Sequence, residues 1–408
     1  MRKLKIGERD MINVAVLGYG TVGSGIVEVI MTNKELIEAR MGDSIQVKHI
    51  LDLRKFPGDP YEALVTDDYN VIVNDPEVNI VCEAMGGTKP AYDFTRRALE
   101  AGKSVCTSNK AVVAEFGPEL MKIAKENNCN YLFEASVGGG IPIIRPLNQS
   151  LTPEKVESIT GILNGTTNFI LTKMEREGSD FADVLKEAQA KGYAEADPTA
   201  DIEGHDAARK IAILSSIAYG KTVDFKTVHT EGITKISSED FAYAKKAGAT
   251  IKLFGKSSDV DGKVYALVAP FMIFSEHPLY AVNDVFNGIL VHGNTLNDVM
   301  FYGSGAGKLP TASAVVSDII EAAKNLGNPL YCGWQEGEIT LSDLADAKRK
   351  FFVRTKKDAK AVEEAFGKVC FIDGGIAGEC GFITEVMSEK EIKAAAEKVE
   401  AVSVIRVE

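Results

Sequence analysis

The first third of the chain alternates short apolar runs with amphipathic stretches. INVAVLG, residues 12–18, is an apolar run that ends at a glycine, which predicts a buried strand. A helix is expected to follow over about residues 22–40. The runs QVKHILDL, NIVCEAM, KSVCTS and NYLFEAS predict further strands, with helices between them. Strands that alternate with helices pair in parallel, so the pattern predicts a doubly wound domain over residues 11–137.

The pattern changes after Gly138, where the predicted strands are less regularly spaced. Five apolar runs predict strands here: VESITGIL, TIKLFGK, VYALVAPFMIF, GILVHG and DVMFYGS. Helices expected over about residues 181–191 and 202–219 interrupt them. We therefore expect an α+β domain over residues 138–304 with a mostly antiparallel or mixed sheet. A segment over about residues 305–328 is expected to return to the first domain as a helix.

The last part of the chain predicts a small separate domain. Residues 329–345 have little regular pattern and are interpreted as a linker. Residues 346–408 contain six predicted elements in the order β-α-β-β-α-β, the ferredoxin-like arrangement. The predicted fold class is therefore α/β, with an N-terminal Rossmann-type parallel sheet, an α+β middle domain and a C-terminal ferredoxin-like domain.

Composition and charge argue against several classes of partner. The chain has 46 Lys and Arg against 58 Asp and Glu, a net charge of −12, so it lacks the basic excess that attracts nucleic acid or an anionic membrane. No apolar run approaches the roughly 20 residues of a membrane span. Residues 1–10 are charged, without a signal peptide's apolar stretch, and are interpreted as a leader. The six cysteines lack CxxC spacing, which favours reduced thiols in a cytoplasmic protein over a zinc site.

A glycine-rich turn, GYGTVG, follows the first predicted strand and opens the first helix. In a dinucleotide-binding turn, the first glycine permits the tight bend and the second lets the backbone approach the pyrophosphate. The third lets helix and strand pack closely, and the helix N-terminus faces the phosphates. We interpret the turn as a binding site for NAD or NADP, formed by Gly18, Gly20, Thr21, Val22 and Gly23. The alternative is a tight turn without a ligand.

The end of the second predicted strand leaves the cofactor preference open. Asp52 could bond the ribose 2′-hydroxyl of NAD, whereas Arg54 and Lys55 could hold the 2′-phosphate of NADP. Two further strand ends are expected to face the cofactor, because ligands lie at the carboxyl ends of such strands. These are the MGG turn with Gly86 and the SNK sequence with Ser108 and Lys110. Taken alone, Lys110 could equally be a solvated lysine at a helix start.

Two other turns carry candidate ligand groups. In EASVGGGIP, Glu134 next to three glycines offers a carboxylate and bare carbonyls that suit a small cation. The residues alone favour a hinge between domains at this point. In LNGTTNFIL, Gly165 and Thr166 offer bare backbone and a hydroxyl at a helix start, which suits a polar ligand or an ordinary N-cap.

The stretch GYAEADPTADIEGHDAARK, residues 192–210, places carboxylates before a lysine. Asp206 and Lys210 are four residues apart, so they share a helix face. If exposed, they form a weak ion pair. If buried, the lysine could exchange a proton, since desolvation moves its pKa towards neutrality. Glu195 and Asp201 flank the helix start and could bind a substrate ammonium group, and the residues alone support both interpretations equally.

Together these motifs resemble the homoserine dehydrogenase family. The family's signature is matched by Gly192, Tyr193, Asp197, Pro198, Asp201, Gly204, Asp206 and Lys210. GYGTVG, SNK, EASVGGGIP, LNGTTNFI and GSGAGKLPTASAVV match the family in order, so the resemblance covers about residues 11–325. The tail resembles an ACT domain, a small regulatory module. With no kinase-like region before the dehydrogenase, the resemblance is to the monofunctional form.

The resemblance implies an activity and roles for the candidate residues. The activity is reversible, NAD(P)H-dependent reduction of L-aspartate 4-semialdehyde to L-homoserine by hydride transfer, on the route to threonine and methionine. Lys210 is implied as proton donor, Lys110 as a contact to cofactor and substrate, and Glu195 as the ligand of the substrate amino group. Around Glu195 the resemblance implies Asp201, Asp206, Tyr193, Gly165 and Thr166. It also implies a cofactor contact at Gly307 and a monovalent cation, sodium or potassium, at Glu134, Val137, Gly139 and Ile141, which replaces the hinge interpretation.

Cofactor choice and assembly follow as further expectations. Leu51 stands where many bacterial members of the family carry arginine, so we expect NAD or dual use. The middle domain is expected to bind substrate and to pair chains into a homodimer or homotetramer, and the tail could bind threonine as an effector. The rival interpretation is an NAD(P)-sensing ACT regulatory protein without turnover, but it leaves two lysines and four carboxylates unexplained. A second rival, a semialdehyde enzyme with a nucleophilic cysteine, lacks a cysteine in an activating setting.

Overall fold

The structure, a computed structural model, describes residues 11–408. The leader expected at residues 1–10 lies outside the described residues. From Met11 to Asn148 the elements are β1 (Met11–Leu17), α1 (Thr21–Thr32), α2 (Lys34–Met41), β2 (Ser44–Leu51), β3 (Val65–Thr66), α3 (Tyr69–Val73), β4 (Val78–Glu83), α4 (Ala91–Glu100), β5 (Ser104–Thr107), α5 (Lys110–Glu126), β6 (Tyr131–Leu132) and α6 (Ile144–Asn148).

The middle of the chain contains both long helices and the longest strands. These elements are β7 (Val156–Ile162), α7 (Gly165–Glu177), α8 (Phe181–Ala190), α9 (Thr199–Ile202), α10 (His205–Tyr219), β8 (Lys221–Thr222), β9 (His229–Thr230), α11 (Ser238–Lys246), β10 (Ala249–Val260), β11 (Lys263–Phe274), β12 (Phe286–Gly293), β13 (Asn297–Ser304) and α12 (Lys308–Lys324). The last elements are β14 (Gln335–Glu338), β15 (Lys348–Thr355), α13 (Ala359–Phe366), β16 (Val369–Ile372), β17 (Cys380–Thr384), β18 (Met387–Ser388), α14 (Glu389–Lys398) and β19 (Ser403–Val407).

The chain divides into two compact units. The first contains the residues up to Thr152 together with Gly220–Thr222 and Ser304–Gly337. The second contains Pro153–Tyr219, Val223–Gly303 and Glu338–Glu408. Among residues 11–408, no helix is both long enough and apolar enough to span a membrane.

The first unit is built on a six-stranded parallel sheet in the order β3-β2-β1-β4-β5-β6. This is the Rossmann-type order, and it confirms the predicted parallel sheet. Six of the seven positions of β1 are buried, because helices cover both faces of such a sheet. Helix α12 packs with α1 in the apolar core of this unit.

Two local expectations in the first unit were wrong. The helix expected over residues 22–40 is interrupted at Asn33, which ends α1 and precedes α2. Asparagine is a poor helix former and a good terminator, which accounts for the break. The strand expected over residues 130–136 is only Tyr131–Leu132, and a 3-10 turn over Glu134–Ser136 follows. In that turn the backbone N–H of Glu134 bonds the buried Asp318 rather than a neighbouring strand.

The second unit is built on an eleven-stranded mixed sheet. The sequence predicted a mixed sheet for residues 138–304, and in the structure the strands of the tail join that sheet. Its main order is β13-β12-β7-β10-β11-β19-β15-β17-β16. β10 and β11 pair antiparallel along their whole length, whereas β19 joins β11 in parallel through Phe271–Arg406 and Met272–Val407. Four of the five tail strands lie in the order β19-β15-β17-β16, and with α13 and α14 they form the predicted β-α-β-β-α-β unit, while the short β18 pairs with β15. Residues 329–345, which were interpreted as a linker, contain the short strand β14, which pairs with β8.

Candidate functional site

The glycine turn of the first unit leaves room for a ligand next to the backbone. Gly18 has a φ of +88°, and a Cβ added to Gly23 would lie 1.8 Å from the Gly18 carbonyl oxygen. A Cβ added to Gly20 would meet no atom within 4 Å. In the described part of the chain no side chain caps the N-terminus of α1, which begins at Thr21. An open surface beside free helix N–H groups suits a pyrophosphate, so the residues fit a dinucleotide.

Asp52 and Arg54, which compete in the sequence as NAD and NADP determinants, form one ion pair. Arg54 donates from its backbone N–H and Nε to Asp52 Oδ1, both at 2.9 Å, and from Nη2 to Oδ2 at 2.8 Å. The backbone N–H of Tyr19, in the glycine turn, also donates to Oδ2 at 2.8 Å. The Arg54 hydrogen bond is the main reason that the pKa of Asp52 lies well below its usual range. The carboxylate is therefore ionised and tied to the turn.

The ends of β4 and β5 are joined by residues that the sequence analysis did not single out. Glu83 ends β4 fully buried and accepts hydrogen bonds from Met85 N–H and the Thr107 hydroxyl. Asn109 caps α5, whose first residue is Lys110, and bonds the carbonyl oxygen of Gly87. The signals were a carboxylate that ends an apolar strand and an asparagine directly before a helix.

The loop with the candidate cation ligands has left-handed backbone. Gly138 and Gly139 have φ values of +74° and +55°, and a Cβ on Gly139 would lie 2.5 Å from the Gly305 carbonyl oxygen. The Glu134 carboxylate accepts three backbone N–H groups at the start of α6, from Ile143, Ile144 and Arg145, at 2.6–2.8 Å. Among residues 11–408, no cluster of three or more His, Cys, Asp or Glu side chains could hold a metal ion. Both oxygens of the Glu134 carboxylate are therefore already occupied as hydrogen-bond acceptors.

In the second unit, Lys210 and Asp206 form a buried ion pair. Lys210 Nζ lies 2.7 Å from Asp206 Oδ2 and donates to the Leu163 carbonyl oxygen at 2.6 Å. Lys210 is only 8% exposed and Asp206 only 3%. This burial excludes the interpretation of a solvated pair at a helix start. The contacts hold the ammonium at the point where β7 ends and α7 begins.

Asn164 connects this pair to a second carboxylate, and the sequence analysis had not named it. Its amide nitrogen donates to Asp201 Oδ1 at 2.7 Å and to Asp206 Oδ2 at 2.9 Å. Its side-chain oxygen accepts the N–H of Thr167 and so caps α7. The structure therefore brings Asp201, Asp206 and Lys210 together around one asparagine.

The remaining predicted residues of the second unit are more exposed than Asp206 and Lys210. The Thr166 hydroxyl donates to the Tyr193 carbonyl oxygen at 2.5 Å, and the Tyr193 ring packs edge-on against Phe169 at 5.0 Å. A Cβ added to Gly165 would lie 2.8 Å from the carbonyl oxygen of Val285, so this position requires glycine. Glu195 is exposed, on the loop between α8 and α9.

This strand order and this turn bind NAD or NADP, and a buried lysine held by a carboxylate is equipped for proton transfer. The chain is an NAD(P)-dependent oxidoreductase. A family model described as homoserine dehydrogenase matches residues 142–320, and one described as homoserine dehydrogenase, NAD binding domain, matches residues 18–134. The chain belongs to the homoserine dehydrogenase family, as the sequence motifs predicted.

Individual relatives agree with this assignment. Homoserine dehydrogenase of Bacillus subtilis is 45% identical over 319 residues, which are 77% of this chain and 73% of the relative. A crystal structure of a homoserine dehydrogenase from Thiobacillus denitrificans is 34% identical, with a TM-score of 0.89, and covers 98% of this chain and 99% of its own. That coverage includes the tail. A hyperthermophilic archaeal homoserine dehydrogenase in complex with NADPH is 29% identical, with a TM-score of 0.66, and covers 79% of this chain and all of its own.

Proposed function

We propose that this chain reduces L-aspartate 4-semialdehyde to L-homoserine, reversibly, with Lys210 as the proton donor. NAD(P)H, when bound, supplies the hydride for the aldehyde carbon. Negative charge then develops on the aldehyde oxygen, and the Lys210 ammonium stabilises and protonates it. In the oxidative direction neutral Lys210 accepts the hydroxyl proton. The observation that carries this proposal is the buried ammonium held by Asp206 and the Leu163 carbonyl.

The dinucleotide is proposed to lie along the glycine turn and the neighbouring strand ends. Gly18, Gly20, Thr21, Val22 and Gly23 would hold the pyrophosphate, and Gly86, Ser108, Lys110 and Gly307 would contact the rest. Lys110 is proposed as the second active-site lysine. Asp52, Arg54 and Lys55 would meet the adenosine ribose. Dual use of NAD and NADP is proposed, on two observations. Asp52 and Arg54 form an ion pair in this chain, and one solved relative is in complex with NADPH.

The substrate's amino group is proposed to bind the carboxylates of the second unit. Glu195 is the direct ligand, and its exposed position on the loop before α9 leaves it accessible to a substrate. Asp201 and Asp206 would add negative charge to the site, and their common bond to Asn164 fixes their positions. Tyr193, Gly165 and Thr166 would line the pocket.

A monovalent cation, sodium or potassium, is proposed at the glycine loop of the first unit. Val137, Gly139 and Ile141 would offer carbonyl oxygens, which hard cations prefer. Glu134 would contribute charge, although its oxygens already bond three N–H groups.

Assembly and regulation complete the proposal. Strand β13 is an edge strand, and its exposed Met300 and Tyr302, with Phe286 stacked on Tyr302, offer an apolar surface for a second copy. A homodimer or homotetramer is proposed, and a monomer in sedimentation at assay concentration would contradict it.

The tail is proposed to be an ACT domain that binds threonine. Activity that stays constant up to saturating threonine would contradict feedback.

The deciding experiment compares Lys210→Ala and Lys210→Arg with Lys186→Ala, a control at an exposed lysine on α8. Homoserine-dependent reduction of NAD and NADP is measured, with NADPH affinity from fluorescence. Arginine keeps the charge but cannot accept the proton, so both Lys210 variants should lose about 10²–10⁴ in kcat while binding cofactor normally.

Turnover close to wild type in both Lys210 variants would assign the proton to Lys110 or to water. A wild type that binds cofactor but converts neither homoserine nor the semialdehyde would favour the non-catalytic regulator, which family membership does not favour.

A further inference from the structure

The carboxylate of Glu83 is buried at the end of β4 among three donors. Met85 N–H donates to Oε1 at 2.7 Å, and the Thr107 hydroxyl donates to Oε2 at 2.6 Å. The Asn109 amide approaches Oε1 at 3.4 Å. Glu83 has no exposed surface, and this burial raises the pKa of its carboxyl against the effect of the three donors. A buried carboxylate is costly even when it is hydrogen-bonded, so an apolar residue would suit a strand end better on stability alone.

Asn109 extends this contact to two segments that carry candidate cofactor residues. Its amide nitrogen donates to the Gly87 carbonyl oxygen at 2.8 Å, on the turn that contains Gly86. Its side-chain oxygen accepts the N–H groups of Ala111 and Val112 at the first turn of α5. The backbone N–H of Asn109 in turn donates to the Thr107 hydroxyl oxygen at 2.9 Å. The same side chain therefore caps a helix and holds a neighbouring turn.

Glu83, Thr107 and Asn109 form one closed network across two strands. Glu83 and Thr107 are direct partners in the register of β4 and β5, so their side chains meet at the carboxyl edge of the sheet. That edge is where ligands of such sheets lie. Lys110 follows Asn109 immediately as the first residue of α5, so its backbone position depends on this network.

We propose that Glu83 is a positioning residue. Acting through Asn109, it sets the spacing between the Met85–Gly87 turn and the start of α5, and so orients both segments and Lys110 towards the dinucleotide. This inference rests on the proposed function, because it assumes that these segments contact the cofactor. It assigns Glu83 no contact with substrate and no proton of the reaction.

The test is Glu83→Gln, which keeps the size of the side chain but replaces one acceptor oxygen by a donor. Either a backbone or amide donor then faces the new NH₂ group, or the Thr107 hydroxyl must turn to accept from it, so the hydrogen bonds of the network change in both cases. We expect kcat for homoserine oxidation to fall about tenfold or more, since small misplacements of reacting groups have effects of this size. The Kd for NADPH, measured by fluorescence, should rise at least about fivefold, while the KM for homoserine stays within about twofold. Glu119→Gln is the matched control, because Glu119 is an exposed carboxylate on α5 that accepts a hydrogen bond from the Tyr92 hydroxyl.

Asn109→Ser is the second variant, because serine still caps a helix but has no amide to donate. It should reproduce the rise in Kd and the fall in kcat with little change in Tm. The double variant should be no worse than the more impaired single variant, because both changes break one network.

Normal kcat and Kd in a folded Glu83→Gln would overturn the proposal. The proposal would also be overturned if Glu83→Gln has a lower Tm while Asn109→Ser has normal kcat and Kd. Glu83 would then act on stability alone. If Glu83→Gln does not fold, Asn109→Ser decides. If the wild type binds NADPH without turning over homoserine, the proposed function fails, and the two Kd values alone decide whether Glu83 positions the cofactor segments.

Discussion

The side-chain amide of Asn164 lies 2.9 Å from the carboxylate of Asp206, the residue that pairs with Lys210. The same asparagine caps α7 through its oxygen. In the first unit, Asn109 likewise caps α5 through its oxygen and bonds the Gly87 carbonyl through its nitrogen. In both places one asparagine side chain joins the start of a helix to a second segment with proposed active-site residues.

Replacement of Asn164 should separate the two roles of this residue. Asn164→Ala loses the cap, at about 1 kcal/mol of unfolding free energy, together with the bonds to Asp201 and Asp206. Asn164→Ser keeps a cap, so its stability in urea should fall less, but its kcat should fall as far as that of the alanine variant. Asp358→Ala is the control, since Asp358 caps α13 in the tail through Ala361. Wild-type kcat in Asn164→Ser would mean that the amide bonds do not matter for turnover.

The sequence was sufficient for features that depend on spacing and insufficient for those that depend on distant contacts. The shared helix face of Asp206 and Lys210 followed from four-residue spacing, and the parallel sheet followed from alternation. The burial of Lys210 did not follow, because the Leu163 carbonyl that it bonds lies 47 positions away. The Asp52–Arg54 pair depends on side-chain direction, which spacing does not fix. The burial of Glu83 did not follow either, because glutamate is ordinarily a surface residue even when it ends an apolar run.

Two glycines of the turn should respond differently to alanine. Gly20→Ala adds a methyl group to open space and should leave Tm unchanged, but it narrows the approach of the pyrophosphate. The Kd for NADPH should rise at least about tenfold. Gly23→Ala places Cβ 1.8 Å from a carbonyl oxygen, so Tm should fall as well. Thermal unfolding and fluorescence titration check both, and unchanged affinity in Gly20→Ala would argue against a dinucleotide at this turn.

Cofactor selectivity should depend on the Asp52–Arg54 pair. Asp52→Asn removes the charge that holds Arg54, so the Kd for NADP should fall relative to that for NAD. Arg54→Ala should shift the ratio in the opposite direction. The ratio of the two Kd values is the readout, with Arg96→Ala as control, because Arg96 is half-exposed and pairs with Glu100 on α4. A ratio that no variant alters would show that neither residue contacts the ribose 2′ position.

Lys252 should make stability depend on pH in the alkaline range. It is fully buried, and desolvation lowers its pKa from 10.5 to about 8 while it donates to the Val282 carbonyl and Asn283. Between these two pH values the unfolded chain binds more protons at this residue, so its contribution to the unfolding free energy rises with pH. The difference between wild type and Lys252→Met in urea should therefore shift in favour of the wild type from pH 7.5 to pH 10. Lys186→Met corrects for general effects, and a constant difference for Lys252→Met would contradict the prediction.

The parallel pairing of β19 with β11 has a consequence for how the chain folds. The two strands are far apart in the sequence, so their contact closes a long loop and is expected to form slowly. During synthesis β11 is complete well before β19 emerges, and the edge that β19 covers stays unpaired in that interval. Unpaired strand edges are templates for pairing with other chains. In a nascent or truncated chain without β19, the backbone of β11 at Phe271 and Met272 is therefore expected to be open to pairing with other chains, whether or not the tail binds an effector.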